Sequence, residues 1–288
     1  MSLGIPTEPL VFYHDDDPHD QDTHDTHDQT PMTVTHTITD TNTDNDTMTL
    51  TGSPPLTRPT EAAATSVALR RRAPMTADEV RWVDADLRDA TPTEIVEWAA
   101  SRFGARLVLT SSFADTALIS IATAVDADIE VVFLDTGFHF AETLETVRRA
   151  MARYRLNLTV LRPEPSAPDV WAAGSATCCD ARKVAPLDRY LGERADAWLS
   201  GLRRADHPGR AAAPIESLYR RGLVKVNPLA AMTDAEYDTY IDERDVLVNP
   251  LRDQGYPSIG CWPCTEPSTS DDRSGRWAGE KTECGLHL

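Results

Sequence analysis

Cysteine is missing from the first 177 residues of this 288-residue chain, and all five cysteines lie in the last 111. Five cysteines, four of them in a metal-like pattern, argue for a reducing cytoplasm. Basic residues are short as well: 28 Lys and Arg stand against 46 Asp and Glu, for a net charge of −18. That balance excludes a general affinity for nucleic acid or anionic membrane. The chain has no apolar run of about 18 residues, so no membrane span is expected. A positively charged start leading into an apolar core, the mark of a secretory signal, is also missing. Neither GxxxxGKS nor GxxxxGKT occurs, which excludes a Walker phosphate loop.

Large apolar residues are scarce over the first 60 positions, which hold 11 Asp or Glu and one Arg. Repeated Asp-Thr and His-Asp pairs there cannot bury enough surface to offset the entropy of ordering a backbone. Five of the eight histidines fall in this stretch: His14, His19, His24, His27 and His36. A metal-scavenging tail would use them, but the composition favours a solvated, disordered acidic extension over residues 1–74. Met75 then opens a folded part expected to run from 75 to 288.

Regular signals begin at Thr76-Ala77-Asp78-Glu79, a capping box with Val80, Val83 and Leu87 following at helical spacing. Thr91-Pro92-Thr93-Glu94 repeats the box with proline at the first helical position. Short apolar strands are expected at 106–110, 129–134, 158–161 and 197–201. Helices are expected at 115–125, 141–154, after the paired cysteines, and from the Thr233 cap to about 244. Strand–helix alternation of this kind predicts an α/β fold, a doubly wound, mostly parallel sheet with helices on both faces. Ligands of such sheets bind at the carboxyl ends of the strands. Ser111 and Ser112 leave the first strand at that edge and lead into a helix, where hydroxyls and N–H groups can hold an anion, although read alone they form an ordinary capping turn. Asp135 and Gly137 leave the next strand there, and read alone they form an ordinary turn.

Four cysteines form two pairs, Cys178-Cys179 and Cys261-Trp262-Pro263-Cys264. Four thiolates suit Zn²⁺ or an iron–sulfur cluster. Zinc usually separates both ligand pairs by two to four residues, and the adjacent pair fits that poorly. Ligand type and count favour a 4Fe-4S cluster, with a zinc staple as the alternative. The fifth thiol, Cys284, stands near the chain end in Glu283-Cys284-Gly285-Leu286-His287.

These cysteine pairs resemble the assimilatory adenylyl-sulfate (APS) reductases, the iron–sulfur type of the APS/PAPS reductase family. So do Arg182-Lys183, Gly201-Leu202-Arg203-Arg204, Lys225-Val226-Asn227-Pro228-Leu229 and the Glu283–His287 tail. The similarity covers about residues 75–288. It implies a fold like that of the adenine nucleotide alpha hydrolases, in a single domain with a mobile C-terminal tail. It implies one 4Fe-4S cluster per subunit on Cys178, Cys179, Cys261 and Cys264. Cys284 becomes the nucleophile that attacks adenylyl sulfate, giving a thiosulfonate and AMP, and thioredoxin or a similar dithiol then releases sulfite. This is the step that feeds cysteine synthesis.

The resemblance also places Ser111, Ser112, Asp135, Gly137, Lys183, Arg210, Arg273 and Arg276 around the substrate. The loop departs from many relatives at Ala114-Asp115-Thr116, and the stretch between Cys264 and Arg273 is shorter than in some. Reduction of the 3′-phosphorylated nucleotide PAPS is the neighbouring enzymatic reading. An ATP pyrophosphatase would want a glycine-containing loop that is absent here. A zinc-stapled nucleotide-binding module without catalysis is the alternative from another class. On this reading, removal of residues 1–74 leaves adenylyl-sulfate turnover within about twofold of the full chain, measured on both forms side by side.

Overall fold

Three Thr-x-x-Glu boxes start helices where the sequence places them, because each satisfies two otherwise orphaned N–H groups. In the computed structural model, which describes residues 73–206, 214–218, 222–269, 273–281 and 285–287, Thr76 and Glu79 open α1 (Ala77–Asp86). Thr91 and Glu94 open α2 (Pro92–Phe103), and Thr233 and Glu236 open α7 (Asp234–Glu243). Between them run β1 (Leu107–Ser111), α3 (Ala117–Val125), β2 (Glu130–Leu134), α4 (Ala141–Tyr154) and β3 (Asn157–Leu161). Then come α5 (Val170–Cys179), α6 (Ala185–Arg194), β4 (Ala197–Leu199), β5 (Ile215–Leu218) and β6 (Leu223–Val226). Apart from Ala73 and Pro74, the extension expected over 1–74 lies outside the described residues.

Among the described residues, six strands form one sheet in the order β3-β2-β1-β4-β6-β5. Every pairing is parallel except β5 with β6. The period-two alternation of the strands divides the core between two layers. Leu107 and Leu109 of β1, Val131 and Phe133 of β2, and Leu199 of β4 face α2, α3 and α4. Val108, Val132 and Trp198 face the opposite layer, where Leu187 and Leu191 of α6 and Leu286 pack. Helices therefore cover both faces of a doubly wound sheet. Beyond β1 the chain adds strands on one side and then, from β4, on the other, which opens a crevice between β1 and β4 at the carboxyl edge.

Two features differ from the sequence expectation. β5 and β6 complete the sheet, although their short segments carry no clean alternation; Lys225 sits mid-strand and is fully buried, paired to Glu216 at 3.1 Å. The paired cysteines lie at the end of α5, and the expected helix after them is an unbroken continuation. Ala185 N–H bonds back to Asp180 O, so one wide π turn (Asp180–Val184) joins α5 to α6.

The loop leaving β1 is stapled from a distance. Thr116 N–H donates to Leu247 O (2.9 Å) and Asn249 N–H to Ala114 O (3.1 Å). Asn249, with no exposed surface, donates through Nδ2 to Phe113 O (3.3 Å) and Thr143 Oγ1 (3.0 Å). Its Oδ1 accepts from Leu251 N–H at 3.1 Å. Phe113 takes the left-handed conformation, with φ of 55°, which an L residue adopts only when its surroundings impose it. Asn249→Ala strands several of these buried groups, so it lowers unfolding free energy by about 2–3 kcal/mol, read from urea denaturation.

Candidate active site

Two cavities lie side by side at the carboxyl edge of the sheet. The larger, a cleft of about 570 Å³, opens over the ends of β1 and β4 and is lined there by Ser111, Ser112, Ser200 and Gly201. The smaller is lined by all four paired cysteines, brought from the end of α5 and from the turn after Gly260. Lys183 and Arg276 line both cavities and therefore form part of the wall between them.

The cysteine pocket is held together by main-chain bonds across three segments. Arg182 is the hub. Its Nε donates to Pro168 O (3.0 Å), Nη1 to Thr136 O (3.1 Å) and Nη2 to Ala167 O (2.8 Å). Its guanidinium also lies 4.8 Å from the Phe138 ring centroid. Trp262 N–H donates to Phe138 O (2.9 Å), and Thr136 Oγ1 approaches Cys261 Sγ at 3.2 Å. Thr265 Oγ1 and Cys264 N–H both donate to Cys261 O, at 2.8 and 3.0 Å, and close the second cysteine turn.

All four of these cysteines are free thiols. Burial pushes the Cys178 and Cys264 thiols up, and the neighbouring cysteines push them further. Lys183 and Arg276 pull Cys264 the other way, and Arg182 pulls Cys178. Thiols raised above the ordinary range keep their protons near neutral pH unless a cation displaces them. The donor set fits a soft thiophilic group: four thiols, with three cations lining the same pocket to offset thiolate charge. Among the described residues, no three His, Cys, Asp or Glu side chains close around a single-ion position.

Several predicted residues meet in the cleft. Ser111, Ser112, Lys183, Arg273 and Arg276 all line it, and Ser111 Oγ accepts from Phe113 N–H at 3.0 Å. Asp135 and Gly137 are not part of its lining. Asp135 accepts from Gly137 N–H (3.1 Å) and pairs with Arg162 (3.2 Å), so these two build the turn that aims Thr136 at Cys261. Cys284, Arg210 and the His287 side chain lie outside the described residues.

Near the chain end, Ser175 Oγ donates to Glu280 Oε2 (2.9 Å) and Lys281 Nζ donates to Ser175 O (3.1 Å). Leu286 lines the cleft. Residues on both sides of position 284 therefore rest near α5 and the π turn.

His139 and Gly260 were not singled out by sequence reasoning. His139 lines the cleft, its Nε2 lies 2.9 Å from Leu134 O, and burial holds it below the ordinary histidine range. A histidine five residues after a strand gives no signal of burial. Gly260, next to Cys261, shows its importance only in a close approach to Arg276.

A switch-point cleft with serines at a strand end, next to a four-thiol pocket, sits on a doubly wound α/β sheet at the edge where such folds bind their ligands. The sequence of residues 106–267 matches the model of the phosphoadenosine phosphosulfate reductase domain. An adenosine 5′-phosphosulfate reductase of Mycobacteroides abscessus is 45% identical over 215 residues, covering 70% of this chain and 90% of the relative. Another, from Mycolicibacterium smegmatis, is 43% identical over 216 residues, covering 71% and 91%. Among solved structures, a phosphoadenylyl-sulfate reductase from Candida auris, in complex with phosphate, superposes with a TM-score of 0.59. It is 26% identical and covers 67% of this chain and 98% of its own. The chain belongs to the APS/PAPS reductase family.

The Arg182 hub gives a direct check on how the cysteine pocket is held. Arg182→Lys keeps the charge but loses the planar fork, so the three segments lose two or more half-buried bonds. It lowers unfolding free energy by about 1–3 kcal/mol in a denaturant titration.

Proposed function

We propose that this protein reduces adenylyl sulfate to sulfite and AMP, with a thioredoxin-like dithiol as electron donor. The observation that carries the reading is the shared wall: Lys183 and Arg276 face both the thiol pocket and the nucleotide cleft. The relatives named adenosine 5′-phosphosulfate reductase, at 45% and 43% identity, support the same substrate.

Ser111 and Ser112, at the end of β1, hold the nucleotide phosphate. Lys183, Arg273 and Arg276, with Arg210, face the sulfate oxygens, for which the arginine fork suits two-point contact. Cys284 is the nucleophile. Its thiolate attacks the sulfur of the mixed anhydride, a sulfur–sulfur bond forms, and the sulfur–oxygen bond to AMP breaks with the electron pair leaving on AMP. A thiolate of the dithiol donor then attacks Cys284 Sγ. Sulfite leaves with the electron pair, and the donor's second thiol resolves the mixed disulfide. Sulfur gains two electrons and the donor becomes a disulfide, so the electrons balance without another oxidant or reductant.

Cys178, Cys179, Cys261 and Cys264 hold a 4Fe-4S cluster. An adjacent pair at a helix end, with a second pair separated by two residues, would hold such a cluster better than a single tetrahedral ion. When bound, the cluster supplies fixed negative charge beside the wall cations and ties the two cysteine segments together. Thiols kept free for this purpose suit a reducing cytoplasm. No helix among the described residues is long and apolar enough to cross a membrane.

Native mass spectrometry after anaerobic incubation with adenylyl sulfate and no reductant tests the whole reading. The expected mass is the chain plus a four-iron cluster plus one sulfite. Cys284→Ser retains the cluster and loses the sulfite; Cys261→Ser loses the cluster. Zinc in place of iron, with no adduct, favours the non-catalytic module, and an adduct formed only from PAPS moves the substrate.

A further inference from the structure

The turn entering Cys261 passes Arg276 at a separation that leaves no room for a side chain. A β-carbon on Gly260 would stand 2.1 Å from Arg276 Nη2, 2.5 Å from its Cζ and 3.0 Å from Nη1. Gly260 is not among the glycines with positive φ, so the requirement comes from the neighbour and not from the backbone. Arg276 itself is 5% exposed and fixed on several sides. Its Nε donates to Cys264 O (3.3 Å), Nη1 donates to Ser258 Oγ (3.2 Å), and its guanidinium lies 4.4 Å from the Trp277 ring centroid. A bridge between Thr265 and Arg276 holds its backbone.

We infer that Gly260 is a positioning residue for substrate binding: its bare α-carbon seats the Arg276 guanidinium in the wall between the thiol pocket and the cleft. The inference rests on the proposed substrate. Given a methyl group at position 260, either the backbone of the cysteine turn opens or the guanidinium leaves its seat. The guanidinium is the far end of a flexible side chain, whereas the turn is closed by two bonds to Cys261 O, so the guanidinium is the part that moves. It then abandons Cys264 O and Ser258 Oγ and no longer presents its fork to the cleft. Lysine at position 276 has no planar head to collide with that methyl group, so the cost of G260A depends on which cation stands opposite.

A double-mutant cycle measures this dependence. Binding of adenylyl sulfate is measured by calorimetry on the anaerobically purified full-length holoprotein, for wild type, G260A, R276K and the double variant, with iron content determined for each. G260A is expected to weaken binding about tenfold in the wild-type background and less than about twofold further in R276K, at unchanged iron content. Equal losses in both backgrounds overturn the inference. Should G260A alone fail to fold, recovery of the fold and of R276K-like binding in the double variant upholds it, and failure of both overturns it. A wild type that does not bind adenylyl sulfate removes the proposed activity and this inference together. Additive losses in a wild type that does bind it remove the inference alone.

Discussion

Two cations of a strongly acidic chain, Lys183 and Arg276, stand where two cavities meet, and the site is arranged around them. The thiols of one cavity need cations once they lose their protons, and the phosphosulfate proposed for the other needs them from the start. Two unit charges 4 Å apart interact by about 4 kcal/mol at the effective dielectric of a protein surface, so one cation shared between two anionic neighbours is used twice. Lys183 and Arg276 line both cavities and occupy that position. They arrive from segments far apart in sequence, Lys183 from the π turn after α5 and Arg276 from the segment after the second cysteine turn. Neither segment makes the wall alone, which couples the integrity of the thiol pocket to the shape of the cleft.

Much of the scaffold can be read from the sequence, because it depends on local chemistry. The boxes at Thr76, Thr91 and Thr233 each satisfy orphan N–H groups within one turn, so tertiary packing had nothing to override. The strands at 107–111, 130–134 and 157–161 are short, apolar and bounded by helices, and they pair in parallel as such units must. β5 and β6 were not legible. Leu223, Val224, Lys225 and Val226 read as an unremarkable four-residue run, and Lys225 is acceptable inside only because Glu216 of the adjacent strand pairs with it.

The candidate site divides along the same line. The cysteines announce themselves by residue type and spacing, and their convergence on one pocket agrees with that pattern. Asp135 and Gly137 have the residue types of a binding turn, yet the carboxylate is engaged by Gly137 N–H and by Arg162, so they act on Thr136 through the backbone. Residue type alone does not separate a turn that touches a ligand from one that aims its neighbour. His139 is held by Leu134 O only five residues back, but its place in the cleft depends on how the sheet edge folds, while Gly260 owes its role to Arg276 in a separate segment, which no local pattern encodes.

The π turn resolves a conflict that a regular helix would leave standing. In a straight α-helix Lys183, four residues after Cys179, shares the face of that cysteine and points wholly at the thiols. A wide turn inserts one residue's worth of rotation at Asp180–Val184 and changes which side chains lie above the cysteines. Arg182 can then reach back to Thr136, Ala167 and Pro168, while Lys183 faces both the thiol pocket and the cleft. The wide turn weakens helical geometry locally, and the three carbonyl bonds of Arg182 offset that cost at the same place. The cysteine pair thus opens onto one cavity while Lys183, four residues on in the same continuous helix, lines both.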